Sequence, residues 1–300
     1  MDQAASPLEY RKSSINMTEE DFRTVSNLLY RLTGICLDQS SRQIVESRLS
    51  RHFRDSHAGT FSEFIEGTLL RNGQVGASLL ISALTTNTTR FFREPAHFEI
   101  FSRDVVPQIS RRARKGERVR IWSAACSSGE EPFSIGAVLL RDFPEVCEYD
   151  VKILATDVDR LVLEKGKVGR YRAQSFSGID QNLSRYLVKD CGDGINELEL
   201  NDDLRKLVTF RYLNFVEPWP VSGPFDAIFC RNAAIYMDPE VQARLWIGLE
   251  KVLSPDGCLF IGHSERLTSE VAIHFDSIGR TAFKRRKATL QTGKGNSVCL

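Results

Sequence analysis

Apolar residues recur at helical spacing through the first third of the chain. Thr18 followed by Glu19, Glu20 and Asp21 reads as an N-cap with acids in the first turn, and Phe22, Val25, Leu28, Leu29 and Leu32 continue one face until Gly34. A second helix is predicted from about Ser41 to Asp55, where Val45, Leu49 and Phe53 form an apolar stripe beside Arg48, Arg51 and Arg54. Further helical patterns cover Phe61 to Leu70, Ala77 to Leu84 and Phe98 to Ile109, while Ser110 to Arg120 reads as a basic connector.

From Val119 onward the pattern changes to short β-type runs alternating with helical stretches. Strands are predicted at Val119 to Ser123, Val151 to Thr156, Leu207 to Leu213, Phe225 to Cys230 and Cys258 to Gly262, with helices at Pro132 to Arg141, Arg160 to Lys165 and Pro239 to Val252. Such alternation predicts a mostly parallel sheet covered by helices on both faces. Ile273 to Arg286 reads as a hairpin at the sheet edge. Between Gly169 and Leu207 the order breaks: Ser184 to Lys189 and Ile195 to Leu200 bracket the turn-like Asp190 to Gly194, which predicts an inserted β-hairpin. The resulting plan is a helical N-terminal domain over 1–92, a linker helix and basic connector over 93–117, an α/β domain over 118–286 with the insertion at 171–207, and a loose tail over 287–300.

Composition narrows the class. Hydrophobic residues are 42% and charged residues 26% of the 300, enough for a real core, which excludes global disorder. No run approaches the roughly 18 to 20 apolar residues of a membrane helix. Met1 to Lys12 lacks the apolar run of a secretory signal, so the expected location is the cytoplasm, without direct membrane insertion. Forty Lys and Arg against 39 Asp and Glu give a net charge of +1, so no global field draws nucleic acid and recognition must rest on local patches. The seven cysteines contain no Cys-x-x-Cys pair and the five histidines are dispersed, so neither a disulfide scaffold nor a metal site is expected.

Ligands of open α/β sheets bind beyond the carboxyl ends of the strands, which directs attention to the residues after each run. After the first strand, Ser123-Ala-Ala-Cys-Ser-Ser-Gly-Glu-Glu-Pro132 supplies small side chains that admit a ligand close to the backbone, without the Gly-x-Gly-x-x-Gly of a pyrophosphate binder. Asp157 ends the second strand, at a distance suited to two ribose hydroxyls. Asn214 follows the third strand, and Arg231, Asn232 and Tyr236 follow the fourth. Each has a bland reading alone: Asp157 as a helix cap, Arg231 as a surface ion-pair partner, Tyr236 as a half-buried packing residue. Together they suggest an adenosine ligand without a pyrophosphate.

Five segments, in order and spacing, carry a resemblance. Asn87-Thr-Thr-Arg-Phe-Phe-Arg-Glu94, Trp122-Ser-Ala-Ala-Cys-Ser-Ser-Gly-Glu-Glu-Pro-Phe-Ser134, Ala155-Thr-Asp-Val-Asp159, Phe225-Asp-Ala-Ile-Phe-Cys-Arg-Asn-Ala-Ala-Ile-Tyr236 and Gly262-His-Ser-Glu265 resemble the CheR family of chemoreceptor glutamate O-methyltransferases. The likeness runs from Thr18 to Lys284. It implies a class I S-adenosylmethionine-dependent methyltransferase fold, Rossmann-like, with a small all-helical N-terminal domain and an inserted β-hairpin subdomain. It also implies methyl transfer from S-adenosylmethionine to receptor glutamates in chemosensory adaptation, leaving methyl esters and S-adenosylhomocysteine. Ala233, Ala234 and Met237 depart from the larger aliphatics and Phe more usual there.

Carried over position by position, the resemblance implies that Asn87, Thr89 and Arg93 face the cofactor and the methyl-transfer centre. Glu131, preferred to its neighbour Glu130, lies near the cofactor's ammonium group. Asp157 holds the ribose hydroxyls, Asn214 and Phe215 flank the adenine, and Arg231, Asn232 and Tyr236 complete the pocket. Arg93 and Tyr236 are the catalytic candidates: a guanidinium can align the incoming carboxylate, and the phenol shapes the methyl site. The structural alternative for Arg93 is a salt bridge, with Glu94 as one candidate partner.

The implied partner is the cytoplasmic helical domain of methyl-accepting chemoreceptors, rich in Glu and Gln. From Arg42 to Arg54 there are four arginines and one acid, Glu46, and Arg48, Arg51 and Arg54 are the docking residues the resemblance implies; the bland reading is a solvated helical face. Some members also take a receptor C-terminal peptide on the inserted hairpin, where Asp190, Asp193, Glu197, Glu199, Asp202 and Asp203 would not favour an acidic tether. Competing readings are a nicotinamide-dependent oxidoreductase, which predicts a glycine-rich phosphate loop, and a non-catalytic receptor-binding adaptor with a vestigial pocket, which predicts loss of Arg93, Asp157 or Tyr236. Base methylation would require an Asn-Pro-Pro-aromatic stretch, absent from the chain.

Overall fold

The computed structural model describes residues 17–189 and 196–287, which divide into two compact units. One comprises the chain up to Leu32 and Cys36–Leu84; the other comprises Thr33–Ile35 and the chain from Thr85. The smaller unit is helical: α1 (Glu19–Thr33), α2 (Arg42–Asp55), a short α3 (Phe61–Phe64) running on in wider turns over Ile65–Leu70, and α4 (Gly73–Leu84). The start of α1 is fixed by a reciprocal cap, in which Thr18 N–H donates to the Asp21 carboxylate at 2.9 Å and Asp21 N–H donates to Thr18 Oγ1 at 3.1 Å. The apolar stripes read from the sequence become its core, with Phe22, Val25, Leu29, Val45, Leu49 and Phe64 buried.

The larger unit begins with α5 (Pro95–Ile100), which continues through Phe101–Val105 into α6 (Val106–Arg114). The expected linker helix and basic connector over 93–117 is corrected here. This stretch buries Phe98, Phe101, Val105, Ile109 and Ala113 in the sheet's core. Arginines of this stretch, and Arg120 just beyond it, answer acids distant in sequence: Arg112 pairs with Asp226, Arg114 with Glu145 at 2.5 Å and Arg120 with Asp150 at 2.7 Å. The unit boundary accordingly falls at Leu84/Thr85 rather than at 92.

The sheet contains β1 (Val119–Ala124), β2 (Val151–Asp157), β5 (Val208–Tyr212), β6 (Phe225–Cys230), β7 (Leu253–Ile261), β8 (Phe275–Gly279) and β9 (Ala282–Arg285), in the order β5-β2-β1-β6-β7-β9-β8. The first five are mutually parallel, and the β8–β9 hairpin runs antiparallel at one edge. Between strands lie α7 (Glu130–Asp142), α8 (Arg160–Val168), α11 (Pro239–Val252) and a short α12 (Ser269–Ala272). Two apolar clusters cover the faces: one includes Phe101, Phe133, Phe229 and Phe260, the other Trp122, Leu245, Trp246 and Ile261. Met237 packs against the second cluster.

The insertion differs from the expected hairpin. Ser184 to Lys189 is not a strand; α9 (Gln181–Leu187) occupies most of it, started by Asp180, whose carboxylate accepts from Asn182 N–H. Leu183 and Leu187, four residues apart within the helix, pack on the core beside Ile179, which precedes the cap, so tertiary contact favours the helical period over the β-type composition. The antiparallel pair is instead β3 (Arg170–Arg172) with β4 (Glu197–Glu199), and α10 (Asp202–Leu207) follows. The predicted turn Asp190 to Gly194 and the tail beyond 287 lie outside the described residues. The acids here are not a free negative face: Glu199 meets Arg205 at 3.1 Å, Lys189 at 3.2 Å and Arg170 at 3.6 Å. Asp202 and Asp203 pair with Lys189 and Lys206. No described helix is long and apolar enough to cross a membrane.

Candidate active site

Strand order reverses between β1 and β6, and a cavity opens there at the carboxyl ends of β1, β2, β5 and β6, all within the larger unit. Its lining includes Asn87, Thr89, Arg93, Glu131, Asp157, Asn214, Phe215, Arg231, Asn232 and Tyr236. Thus the structure brings together every residue the sequence nominated for the cofactor and methyl-transfer sites. Glu130 is not among them; its carboxylate turns to Ser128 Oγ at 2.7 Å.

The loop after β1 reaches the cavity without glycine at the critical positions. Ala125 and Ser127 hold left-handed backbone angles (φ 62° and 49°), which aim the Ser127 N–H at Asp157 Oδ2, 2.8 Å away. Asp157 Oδ1 accepts from Asp159 N–H at 2.9 Å. Burial pushes the Asp157 carboxyl up to about 6, against the pull of these amides. A carboxylate offers about four lone-pair sites and the two amides occupy only part of them, so a vicinal diol fits the remainder.

The segment before Arg93 is stitched to the same rim. Asn87 Nδ2 donates to Asp159 Oδ2 at 2.7 Å, and Ser127 Oγ donates to the Asn87 carbonyl at 2.9 Å. Phe92 and Glu94, on either side of Arg93, both hold left-handed φ (50° and 58°). Phe92 N–H donates to Ser134 Oγ at 2.9 Å, and the Arg93 carbonyl accepts from Arg231 Nη2. These bonds fix the backbone that carries Arg93, whose guanidinium donates to the Thr88 carbonyl at 3.1 Å.

The salt bridge considered between Arg93 and Glu94 does not form. Glu94 instead meets Arg231 at 3.3 Å, His97 at 3.4 Å and His263 at 3.0 Å. Although burial raises its carboxyl, His263 and Arg231 outweigh that and bring it to about 2. Arg231 is no surface ion-pair partner: its side chain is 2% exposed, with Glu131 at 3.0 Å on the other side. Glu131 also accepts from Ser123 Oγ at 2.7 Å. Burial lowers the His97 imidazole, which favours its neutral form. Two carboxylates therefore share one guanidinium, leaving negative charge at this end of the cavity, where a cationic group would be favoured.

At the opposite end, Asn214 is buried and braces its own turn, donating to Glu217 Oε1 at 3.1 Å, beside half-buried Phe215. Tyr236 stands at the mouth, 38% exposed. Arg51 and Arg54 on α2 are exposed, whereas Arg48 is half-buried and donates to the Leu84 carbonyl at 2.8 Å. Arg48 thereby ties α2 to the end of α4. Among the described residues no group of three or more His, Cys, Asp or Glu is placed to hold a metal ion.

Sequence reasoning missed Glu94, His97 and Asp159 as parts of the site. Glu94 and Asp159 lie inside the quoted segments, but apart from His97, three residues after Glu94, the side chains that meet them across the site come from 72 to 169 residues away, and no local spacing announces those.

The state of Asp157 gives a test. Its raised carboxyl means the folded protein binds more protons than the unfolded chain between the ordinary carboxyl value, 3.8, and about 6, so Asp157 weakens the empty fold as pH rises through that window. Ligand hydroxyls need the ionised form. Affinity for an adenosine ligand is thus expected to fall by up to about tenfold per pH unit below 6, as measured by calorimetry, with no such dependence in Asp157→Asn.

The family model described as CheR methyltransferase, SAM binding domain, matches residues 87–284, and that described as CheR methyltransferase, all-alpha domain, matches residues 20–85. A probable chemotaxis protein methyltransferase of Rhizobium etli is 39% identical over 258 residues, covering 86% of this chain and 96% of the relative. Chemotaxis protein methyltransferase 2 of Pseudomonas aeruginosa is 38% identical over 278 residues, covering 91% and 96%. The chemotaxis protein methyltransferase of Escherichia coli is 36% identical over 275 residues, covering 90% and 92%.

Proposed function

Because the chain belongs to the CheR methyltransferase family, we propose that it transfers the methyl group of S-adenosylmethionine to glutamate side chains of chemoreceptors, forming methyl esters. The observation that carries this reading is the pairing within one cavity of a buried, diol-matched carboxylate, Asp157, with an acidic end formed by Glu131, whose partner Arg231 is shared with Glu94 behind the cavity wall. That donor set fits a nucleoside bearing a cationic amino-acid arm.

When bound, the cofactor supplies a sulfonium methyl already activated by its leaving group. Asp157 is assigned to the ribose hydroxyls, Asn214 and Phe215 to the adenine, and Glu131, itself held by Arg231 and Ser123, to the ammonium. Asn87, Thr89 and Asn232 close the remaining walls. Burial raises Glu131, opposed by Arg231 and Ser123, so an added cation beside it strengthens its ionised form. No general base is required, since a glutamate carboxylate is ionised at neutral pH. Placement dominates, and favourable orientation can lower such a barrier by roughly 7 to 11 kcal/mol. Arg93 aligns the incoming carboxylate, and Tyr236 at the mouth borders the methyl site.

The receptor's cytoplasmic helical domain is the assigned substrate surface, docking on α2 through Arg51 and Arg54; Arg48 is assigned to supporting that helix. The ion pairing of Glu199, Asp202 and Asp203 reduces the charge objection to an acidic receptor tail adding to β3–β4, which Glu197 still carries. Reversing Arg51 and Arg54 to Glu is expected to raise the KM for receptor by about tenfold or more, at unchanged affinity for S-adenosylhomocysteine. The function itself is tested by calorimetric titration with S-adenosylhomocysteine and transfer of labelled methyl to receptor fragments as base-labile esters. A protein that binds no S-adenosylhomocysteine is not this enzyme.

A further inference from the structure

Gly262-His-Ser-Glu265 follows β7 and lines none of the cavity, yet Glu265 reaches the turn that does. Its carboxylate is buried, and backbone amides take both oxygens. Oε1 accepts from Ala233 N–H at 2.9 Å and Ala234 N–H at 2.8 Å, while Oε2 accepts from Asn232 N–H at 3.0 Å and Gly262 N–H at 2.5 Å. Asn232 holds a left-handed φ of 59°, which turns three successive amides of 232–234 inward as a nest for an anion. The anion here is the protein's own side chain.

Close approach depends on Gly262. A Cβ there would lie 2.8 Å from the Asn232 backbone nitrogen and 2.8 Å from Glu265 Oε2, nearer than real contacts permit. The clasped turn carries Arg231, Asn232 and Tyr236, three of the residues around the cavity. Without the carboxylate, three inward amides would face one another around an unfavourable backbone angle.

We infer that Glu265 is a positioning residue, whose carboxylate holds the Arg231–Tyr236 turn in the shape that lets Asn232 and Tyr236 meet the ligand. This rests on the proposed function only for the ligand's identity. Burial raises the Glu265 carboxyl even with four amide donors, so a neutral side chain of the same shape relieves desolvation while offering a single acceptor oxygen to those donors. The substitution thus separates shaping the turn from stabilising the fold.

Glu265→Gln and Gly262→Ala disturb the clasp from its two sides, the second with the charge retained. Both are expected to weaken S-adenosylhomocysteine binding by at least about tenfold and to speed amide exchange at 232–234 to a similar degree, with β6 amides protected as in the parent. Affinity and 232–234 protection within about twofold of the parent, in either folded variant, would overturn the inference. Faster exchange spread equally over β6 would also overturn it, making Glu265 a general stabiliser. Should Glu265→Gln fail to fold, amide exchange at 232–234 in Gly262→Ala decides, since a Cβ at 262 also crowds Asn232 Nδ2 and so touches affinity directly. If the parent itself binds no S-adenosylhomocysteine, the cofactor assignment fails, and the exchange measurements still decide whether the clasp shapes the turn.

Discussion

Arg93→Ala is expected to lower methyl transfer by about a hundred- to a thousandfold, roughly 3 to 4 kcal/mol of transition-state stabilisation, while affinity for S-adenosylhomocysteine stays within a few fold. The reason lies in how the residue is held. Left-handed φ at Phe92 and Glu94 is unfavourable for non-glycine residues and persists because Ser134 accepts from the Phe92 amide and Arg231 donates to the Arg93 carbonyl. The backbone that carries the guanidinium to the cavity is thereby fixed, as a group that must orient a free carboxylate requires. Among the described residues its guanidinium hydrogen-bonds only to the neighbouring Thr88 carbonyl, so its removal unpairs no buried acid. Single-turnover transfer beside calorimetry separates the effects; turnover within a few fold of the parent would remove Arg93 from the catalytic role.

Arg231→Met is expected to have the largest effect on stability, about 3 to 5 kcal/mol, because Glu94 and Glu131 would be left facing each other in a buried place without their shared cation. Urea unfolding measures it. Arg231→Lys should recover only part, since an ammonium cannot bridge two carboxylates and the Arg93 carbonyl as a planar guanidinium does. The loss should be smaller at low pH: removing Arg231 removes part of what, with His263, holds Glu94 near 2, so both acids protonate more readily and the unpaired charges vanish. A methionine variant as stable as the parent at neutral pH would mean that the cluster is solvated rather than buried.

These two residues show how differently parts of the site were legible. Arg93 and Tyr236 could be nominated because their segments resemble a family in order and spacing. Asp157 could be nominated physically, as an acid at the end of a buried strand. Arg231 was placed correctly along the chain, but its ordinary reading as a surface ion pair is wrong, since burial is a property of what packs over a residue. Glu265 stood in a quoted segment with no chemistry attached, because its partners are backbone amides, which have no sequence signature.

The insertion shows the same limit in the fold. Ser184 to Lys189 carries Tyr, Leu and Val in a β-like mixture, yet most of it belongs to α9, whose Leu183 and Leu187 find one apolar surface. Likewise the arginines of 111–120 read as a connector until Asp226, Glu145 and Asp150 are seen to answer them.

By itself the sequence determined the element types outside the insertion, the parallel sheet and the strand ends where ligand chemistry gathers, since periodicity and side-chain type act over a few residues. Tertiary structure alone decided which acids share Arg231, which backbone angles are held against their preference, and which carboxylate clasps the Arg231–Tyr236 turn. Those outcomes depend on distance and desolvation between groups far apart along the chain, and only packing sets either.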